Sequence, residues 1–484
     1  MLCLGKQGPA ADRGMDPPHR AFCKEVGSKG SRQTPQLLWE IVSLRLRSAD
    51  ACSLSRVESA TSPRSERLQG TNYPDTIERY TMTSFEDARR IILGAVAPVG
   101  IERVLLLDAV GRIIAADFAA PCDMPRWNNS AMDGFAVRSA DCTPDAILTV
   151  TDYIPAGASS DNAVQPGCAA RIMTGAPIPP GADAVVPLEE TEPGDGTLRL
   201  LHQVKKNDHI RFKGEDVASG EPVVARGTLI GPPQVSLLAS FAAVLVPVYR
   251  RVRVAILSTG DELVELGTPP GPSEIVNSNT LALAAAVKLC GAEPTIIGIA
   301  RDDRESHLAL VAEGLKADVL ITSAGVSAGD RDLVRETLAE LGVVEEFWKI
   351  GIKPGGPTAF GHKGHTPVFS LPGNPVSTMI TFEQFVRPAL LKMMGHTRVL
   401  RRTVPGFLTG GVRKKPGKLN FLRVHVSLEG GRYLASTSGD QNTGILKTML
   451  RANGLVLLPA DRTEFSAGDQ VELQILDPTL EMEE

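Results

Sequence analysis

Three acidic residues follow three separate apolar runs: Glu262 after "VRVAIL", Asp302 after "PTIIGIA" and Asp332 after "ADVLIT". If those runs are strands of one parallel sheet, all three carboxylates face the crevice at the strands' carboxyl ends, where open α/β sheets bind ligands. Between "ADVLIT" and Asp332 lies "SAGVSAGD", Ser323 to Asp330. Its small residues let backbone N–H groups approach a ligand closely. The helix that follows adds its positive end, a combination suited to phosphate or another oxyanion. Alone, the loop reads equally as an ordinary strand-to-helix turn, and each acid alone reads as a helix cap or a solvated loop residue. Together they repel an anionic ligand unless a cation lies between, and Mg²⁺ is the usual one. Lys349 and Lys353, in "FWKIGIKPGGP", fall on one side of an extended segment and are compact positive charges suited to an anion, or are ordinary exposed lysines. The loop has no Gly-Lys-Ser/Thr of a Walker A, and the dinucleotide fingerprint is absent. Neither a Ser-His-acid arrangement nor a nucleophilic-cysteine context is present.

The elements that must position these groups are legible from period and punctuation. From Val252 to about Gly395 strands and helices alternate, which means a mostly parallel, doubly wound sheet with helices on both faces. "TLALAAAVKLC" is a predicted helix with Asn279 as N-cap and Gly291 past its end. "DLVRETLAEL" is a helix closed by Gly342. "PVSTMITFEQFVRPALLKMM" is a helix with Asn374 at N-cap and Pro375 at its first position. Before this domain, "SFEDARRIILGAV" is helical with Ser84 as a capping residue, and Phe118 to Ile210 is β-like, broken by "QPG", "APIPPGAD" and "EPGDG". After Arg401 the pattern is β again. Val424, Val426 and Leu428 alternate with Arg423, His425 and Ser427, and Val471, Leu473 and Ile475 with Glu472 and Gln474, so each strand is expected to have one buried and one wet face. The fold class expected is α/β plus β: one α/β domain flanked by β-rich domains, elongated. The expected boundaries are 82–125 with 213–250 as a linking domain, 126–212 as an inserted β-rich domain, 251–400 as the α/β domain and 401–484 as a β-barrel-like domain. Residues 1–81 are rich in Ser, Arg and Pro, with "LLWEIVSLRL" as their single candidate element. They are expected to be a disordered or non-native extension, with natural translation starting at Met82.

Composition bounds the function. Across 484 residues, 43% are hydrophobic and 22% charged, which is ordinary for a globular protein. A net charge of -5 argues against non-specific nucleic-acid binding. No apolar run is long enough to span a membrane. The seven cysteines are scattered, without a C-x-x-C pair, which suits free thiols in a reducing compartment such as the cytoplasm. His362 and His365 form an H-x-x-H, but in a Gly-flanked turn.

Seven ordered motifs add a resemblance. "NNSAMDGFAV", "RIMTGAPIPPGADAVV", "RFKGEDV", "STGDEL", "GVSAGD", "KIGIKPGGPTAFG" and "SLPGNPVS" resemble the molybdopterin molybdenumtransferase family, to which the E-type domain of gephyrin also belongs. From the residues alone the first three are polar turns. The resemblance implies insertion of molybdate into adenylylated molybdopterin, with Mg²⁺ assisting and AMP released. It places functional positions on Asp133, Thr174, Asp216, Glu262, Asp302, Asp332, Lys349 and Lys353, with Asp332, Glu262 and Asp302 near the magnesium and the lysines on oxyanions. Substrate-binding positions fall on Ser258, Thr259, Gly325, Ser327, Gly329, Asp330, Pro372, Gly373, Asn374 and Ser377. Arg423 in "NFLRV" and Thr443 in "GDQNTGIL" match more loosely. It also implies a homodimer whose clefts join residues of both chains, with the molybdopterin adenylyltransferase and downstream molybdoenzymes as partners. Two departures stand out. The family usually has Gly-Gly-Val-Ser where this chain has Ala324-Gly325-Val326-Ser327, and often K-P-G-K-P where this chain has Lys353-Pro354-Gly355-Gly356-Pro357. The alternatives are the adenylyltransferase itself, which resembles the α/β domain alone, and a non-catalytic gephyrin-like scaffold.

Overall fold

The computed structural model describes residues 82–325, 333–477 and 480. The expectations for residues 1–81, and for Ser327, Gly329, Asp330 and Asp332, lie outside the described residues.

Helix α1 (Phe85–Ala95) starts where the Ser84 side chain accepts a hydrogen bond from the Asp87 amide, as a capping residue should. Its apolar face does not stay in a linking segment. Phe85, Ala88 and Ile92 pack into the core of the α/β domain, with Phe85 edge-on to Phe385 and Phe421 at centroid separations of 5.6 and 5.3 Å. The strand Ile101–Leu105 pairs antiparallel with Leu245–Tyr249, so chain on either side of the inserted β domain is zipped together.

The inserted domain is a six-stranded sheet of β1 (Gly134–Val137), β2 (Ile147–Ile154), β3 (Cys168–Ile172), β4 (Ala184–Pro187), β5 (Thr191–Pro193) and β6 (Thr197–Leu200), in the order β4-β1-β3-β2-β6-β5. Both faces carry buried residues: Phe135, Val137, Leu148 and Leu198 on one, Ala136, Ile154, Ile172 and Val185 on the other. Adjacent residues of β1 thus serve opposite cores, the period-two signature of a strand covered on both sides.

The α/β domain alternates as expected up to α4 and then places four strands in succession: β7 (Arg253–Thr259), α2 (Ser278–Leu289), β8 (Glu293–Ala300), α3 (Arg304–Gly314), β9 (Val319–Ser323), α4 (Leu333–Glu340), β10 (Val344–Phe347), β11 (Ile352–Lys353), β12 (Ala359–Lys363), β13 (Thr366–Leu371), α5 (Pro375–Thr381) and α6 (Arg387–Met393). The π-helical turn Phe382–Val386 runs α5 into α6. Sheet order is β8-β7-β9-β13-β12-β10; the first four strands are parallel and the last two antiparallel. The chain passes from β7 to β8 on one side, then to β9 on the other, so order reverses between β7 and β9. Such a switch point opens a crevice, because the two connections leave in opposite directions. The N-cap of α2 is Asn277 rather than Asn279: Asn277 Oδ1 faces the Thr280 amide at 3.4 Å, and Asn279 is released for other partners.

Strands β14 (Thr403–Leu408), β15 (Leu419–Glu429), β16 (Arg432–Thr437), β17 (Gly454–Leu458) and β18 (Gln470–Ile475), with the short helix α7 (Lys447–Arg451) between β16 and β17, form the last sheet. β15 pairs with both β16 and β17, and β17, β18, β14 and β16 pair in succession, so the ladder closes into a barrel. The one-face-wet expectation fails here at two strands. Arg423 and Gln474 are buried, and Leu428 is exposed. The supposed wet face of β18 is docked on the α/β domain, where Gln474 Oε1 accepts from Gln384 Nε2 at 2.7 Å.

Candidate functional site at the switch point

A cavity of about 410 Å³ opens at the carboxyl ends of β7, β9 and β13. Ser258 closes its floor from β7 and Ser323 from β9, while Pro372, Gly373 and Asn374 form one wall and Glu262 another. Ser258 is 1% exposed and hydrogen-bonds Asn277 Oδ1 at 3.1 Å and Thr280 Oγ1 at 2.7 Å, which fixes the start of α2 against β7. Asn279 does the same across the crevice, donating from Nδ2 to Gly373 O at 2.8 Å and Ser323 Oγ at 3.1 Å. One amide therefore ties the ends of β9 and β13 to α2. The sequence reading missed Asn277, Asn279 and the Ile275–Ser278 stretch as cavity residues. The signal was the run "NSNT" at a helix start, more polar residues than capping needs.

The glycine-rich loop leaves β9 through two left-handed residues, Ala324 at φ 76° and Gly325 at φ 75°. A Cβ on Gly325 would lie 2.3 Å from Val334 Cγ2 and 3.0 Å from Thr259 Oγ1, so glycine is required there by space as well as by φ. On the opposite wall, Ser377 is buried in α5, and Thr378 Oγ1 donates to Pro372 O, which fixes the Pro372–Asn374 turn. Asn374 is the N-cap of α5 by position, but its side chain makes no cap hydrogen bond.

Of the predicted acids, Glu262 lines the cavity. Asp302 is exposed one loop further out, its amide donating to Asp261 Oδ1 at 3.1 Å. It stands after β8, which flanks β7 on the side away from the switch point. Lys349 and Lys353 are exposed, while Ile350 and Ile352 between them are buried.

The residues matched in the inserted domain form a separate constellation. Asp133 Oδ1 accepts from the Thr174 amide at 2.7 Å and from Thr174 Oγ1 at 2.8 Å. Those two bonds, the backbone one first, hold the Asp133 carboxyl below its ordinary value. Asp216 lines another cavity, with Met124, Pro125, Asn129, Arg211 and Glu215. In the barrel Arg423 is 1% exposed; it donates to Thr448 Oγ1 at 2.9 Å and to the carbonyls of Asp440 and Asn442 at 3.1 and 3.2 Å. Its guanidinium is a strut for the loop that carries the half-buried Thr443. His362 sits in β12, with Nε2 3.1 Å from Glu346 Oε1.

No group of three or more His, Cys, Asp or Glu poised around a metal position occurs among the described residues. Glu262 offers hard carboxylate oxygens at the cavity wall, the donor chemistry Mg²⁺ takes. No described helix is long and apolar enough to cross a membrane.

The open sheet with a crevice at its switch point and flanking β domains is a multidomain α/β plus β fold, and residues 255–392 match the family described as a probable molybdopterin binding domain. Residues 83–242 match the MoeA N-terminal region (domain I and II), and residues 406–476 the MoeA C-terminal region (domain IV). The chain is 37% identical over 411 residues to molybdopterin molybdenumtransferase 2 of Mycobacterium tuberculosis, covering 82% of this chain and 100% of that protein. It is 36% identical over 400 residues to the molybdopterin molybdenumtransferase of Haemophilus influenzae, covering 81% and 98%. A solved molybdopterin biosynthesis MoeA protein from Pyrococcus horikoshii superposes with a TM-score of 0.68 at 28% identity, over 82% of this chain and all of that one. The chain belongs to the molybdopterin molybdenumtransferase family. It is a transferase of molybdenum cofactor biosynthesis.

Proposed function

We propose that the chain inserts molybdate into adenylylated molybdopterin and releases AMP, with Mg²⁺ assisting. The observation that carries this reading is the switch-point cavity, which has a carboxylate on one wall and small-residue turns from two strand ends around it. That is a place for an anionic ligand with a cation between it and Glu262. The reaction balances without a protein nucleophile. Two thiols of the pterin dithiolene exchange their S–H bonds for Mo–S bonds, and molybdate loses one oxygen as water. Cleavage of the phosphoanhydride consumes one water and frees AMP.

Glu262 and Asp332 would hold Mg²⁺, with Asp302 reaching toward it from the neighbouring strand end, and the ion would supply charge neutralisation of phosphate oxygens. Ser258, Thr259, Gly325, Ser327, Gly329, Asp330, Pro372, Gly373, Asn374 and Ser377 enclose the pterin and its phosphates. Lys349 and Lys353 hold molybdate or phosphate oxygens by charge. Asp133, Thr174 and Asp216 belong to the same cleft, contributed by the second chain of a homodimer, and Arg423 acts through the loop that bears Thr443. The setting is the cytoplasm, beside the enzyme that adenylylates molybdopterin and the molybdoenzymes that take the product.

The test is molybdate-dependent AMP release from the purified protein. AMP released in proportion to molybdate is expected. ATP-dependent adenylylation of molybdopterin would instead make the chain the adenylyltransferase. Ligand binding without either reaction would make it a scaffold.

A further inference from the structure

In the stretch "KPGGP" Gly356 carries no side chain, and the fold brings a lysine beside it from elsewhere. β11 pairs in parallel with the start of β15, Ile352 opposite Leu419 and Lys353 opposite Asn420. The Leu419 amide donates to Gly351 O at 3.0 Å. The residue just before Leu419 is Lys418, and this pairing fixes it beside the Gly351–Pro357 turn. A methyl group built on Gly356 would lie 3.3 Å from Ile352 O, 3.4 Å from Lys418 Nζ and 3.5 Å from Ile350 O. The ammonium of Lys418 therefore borders the space that a side chain at 356 would enter.

Lys418 is presented by a turn that is itself tied down. Lys414 Nζ donates to the carbonyls of Lys418 at 3.2 Å and Ala460 at 3.3 Å, and the Gly417 amide donates to Ala460 O at 2.9 Å. Lys414 is thus committed to the barrel, whereas the Lys418 side chain points away from it toward the α/β domain. Pro357, next to Gly356, lines the 410 Å³ cavity. Lys349 and Lys353 emerge from the same segment, and among the described residues no carboxylate forms an ion pair with Lys349, Lys353 or Lys418. Ammonium groups borne by one short segment and by the turn beside it become a favourable arrangement when an anion lies between them.

We propose that Lys418 is a substrate-binding residue, the third cation of an oxyanion subsite with Lys349 and Lys353, supplied by the C-terminal barrel beside the space that Gly356 leaves free. The ligand class is a tetrahedral or bridging oxyanion: molybdate, or the phosphates of the adenylylated pterin. The proposal rests on the cavity being the site of molybdenum transfer. Gly356 and Lys418 are then a matched pair, since a long side chain at 356 excludes the Lys418 ammonium and a lysine at 356 makes it redundant.

The experiment is a cycle of Lys418→Ala, Gly356→Lys and the double variant, with Lys418→Arg as the charge-keeping control. Each is read by titration calorimetry with molybdate and with inorganic pyrophosphate, by molybdate-dependent AMP release, and by thermal melting. Lys418→Ala should weaken binding of at least one anion, and raise KM for its source, by roughly tenfold, the scale of one charge-assisted contact. Its salt dependence should flatten and its melting temperature should hold. Lys418→Arg should stay within about threefold of the parent, given one retained charge. The double variant should bind better than Lys418→Ala, because the φ at Gly356 is not left-handed and the Ile352 carbonyl, 3.3 Å from a Cβ there, has only a few tenths of an ångström to give. Unchanged binding of both anions in Lys418→Ala, or a double variant no better than Lys418→Ala, overturns the proposal while AMP release by the parent leaves the functional reading standing. A parent that binds neither anion overturns the subsite. A parent that binds them but releases no AMP overturns the functional reading and leaves the subsite intact.

Discussion

Ala324 occupies a backbone position that suits glycine, and replacing it is a sharp test of how the chain leaves β9. Its φ is 76°, in the left-handed region, where a Cβ crowds the following carbonyl at a cost of about 1–2 kcal/mol. Ala324→Gly removes that cost. It also loosens the unfolded chain, which works against the folded state by about 0.4–1 kcal/mol. The strain term is the larger, so the variant should be more stable by about 0.5–1 kcal/mol, or about 1–4 °C in a domain of this size. The Ala324 methyl also faces Gly373 across the cavity, where a Cβ would approach it to 3.2 Å, so its removal relieves a narrow point without opening a core void. Turnover should be retained. Ala324→Val should go the other way by 2 kcal/mol or more, roughly, because a β-branched residue tolerates this φ least. Denaturant midpoints of the α/β transition, with AMP release measured on the same preparations, decide the matter. A lower midpoint for Ala324→Gly, or a neutral Ala324→Val, would refute the claim that the loop stores strain at this residue.

Two further outcomes are expected. Asp318, at the entrance to β9, accepts from Arg250 at 2.8 and 2.9 Å and from Arg253 at 2.8 and 3.2 Å. Burial pushes its carboxyl upward, but those bonds outweigh burial and hold it well below the usual carboxylate range. Its folded-state value is depressed, so its stabilisation is present above the unfolded value near about 4 and fades as pH falls below it. Asp318→Asn should then cost about 1–2 kcal/mol at neutral pH and progressively less in acid; a loss that is the same at pH 3 as at pH 7 would contradict this. For the shared cleft, Asp133→Ala and Asp332→Ala, each inactive alone, should regain up to roughly a quarter of parental activity when co-refolded, since about half of random dimers are mixed and each has one intact cleft of two. Mixed dimers that form and stay inactive would place the whole cleft in one chain.

The sequence by itself determined the features that depend on near neighbours along the chain. The alternation of β7 to α4, the caps at Ser84 and Asn374 and the left-handed glycines after α2 and α4 were legible because strand period, helix period and capping are fixed within a few residues. The ordered motifs likewise pointed to the family. What only the tertiary structure decided involves residues brought together from distant segments. Asn279 read as a cap and instead ties two strand ends to α2, because Asn277 already faces the Thr280 amide. Arg423 and Gln474 read as wet by alternation. They are buried because a loop covers one and the α/β domain covers the other, and a strand's own period cannot reveal what covers its second face. Glu262 and Asp302 read alike, yet only strand order separates the acid at the switch point from the acid one strand away. Gly356 read as a lost positive charge, whereas Lys418 borders that space because β11 joins the barrel edge, a pairing that neither stretch encodes alone.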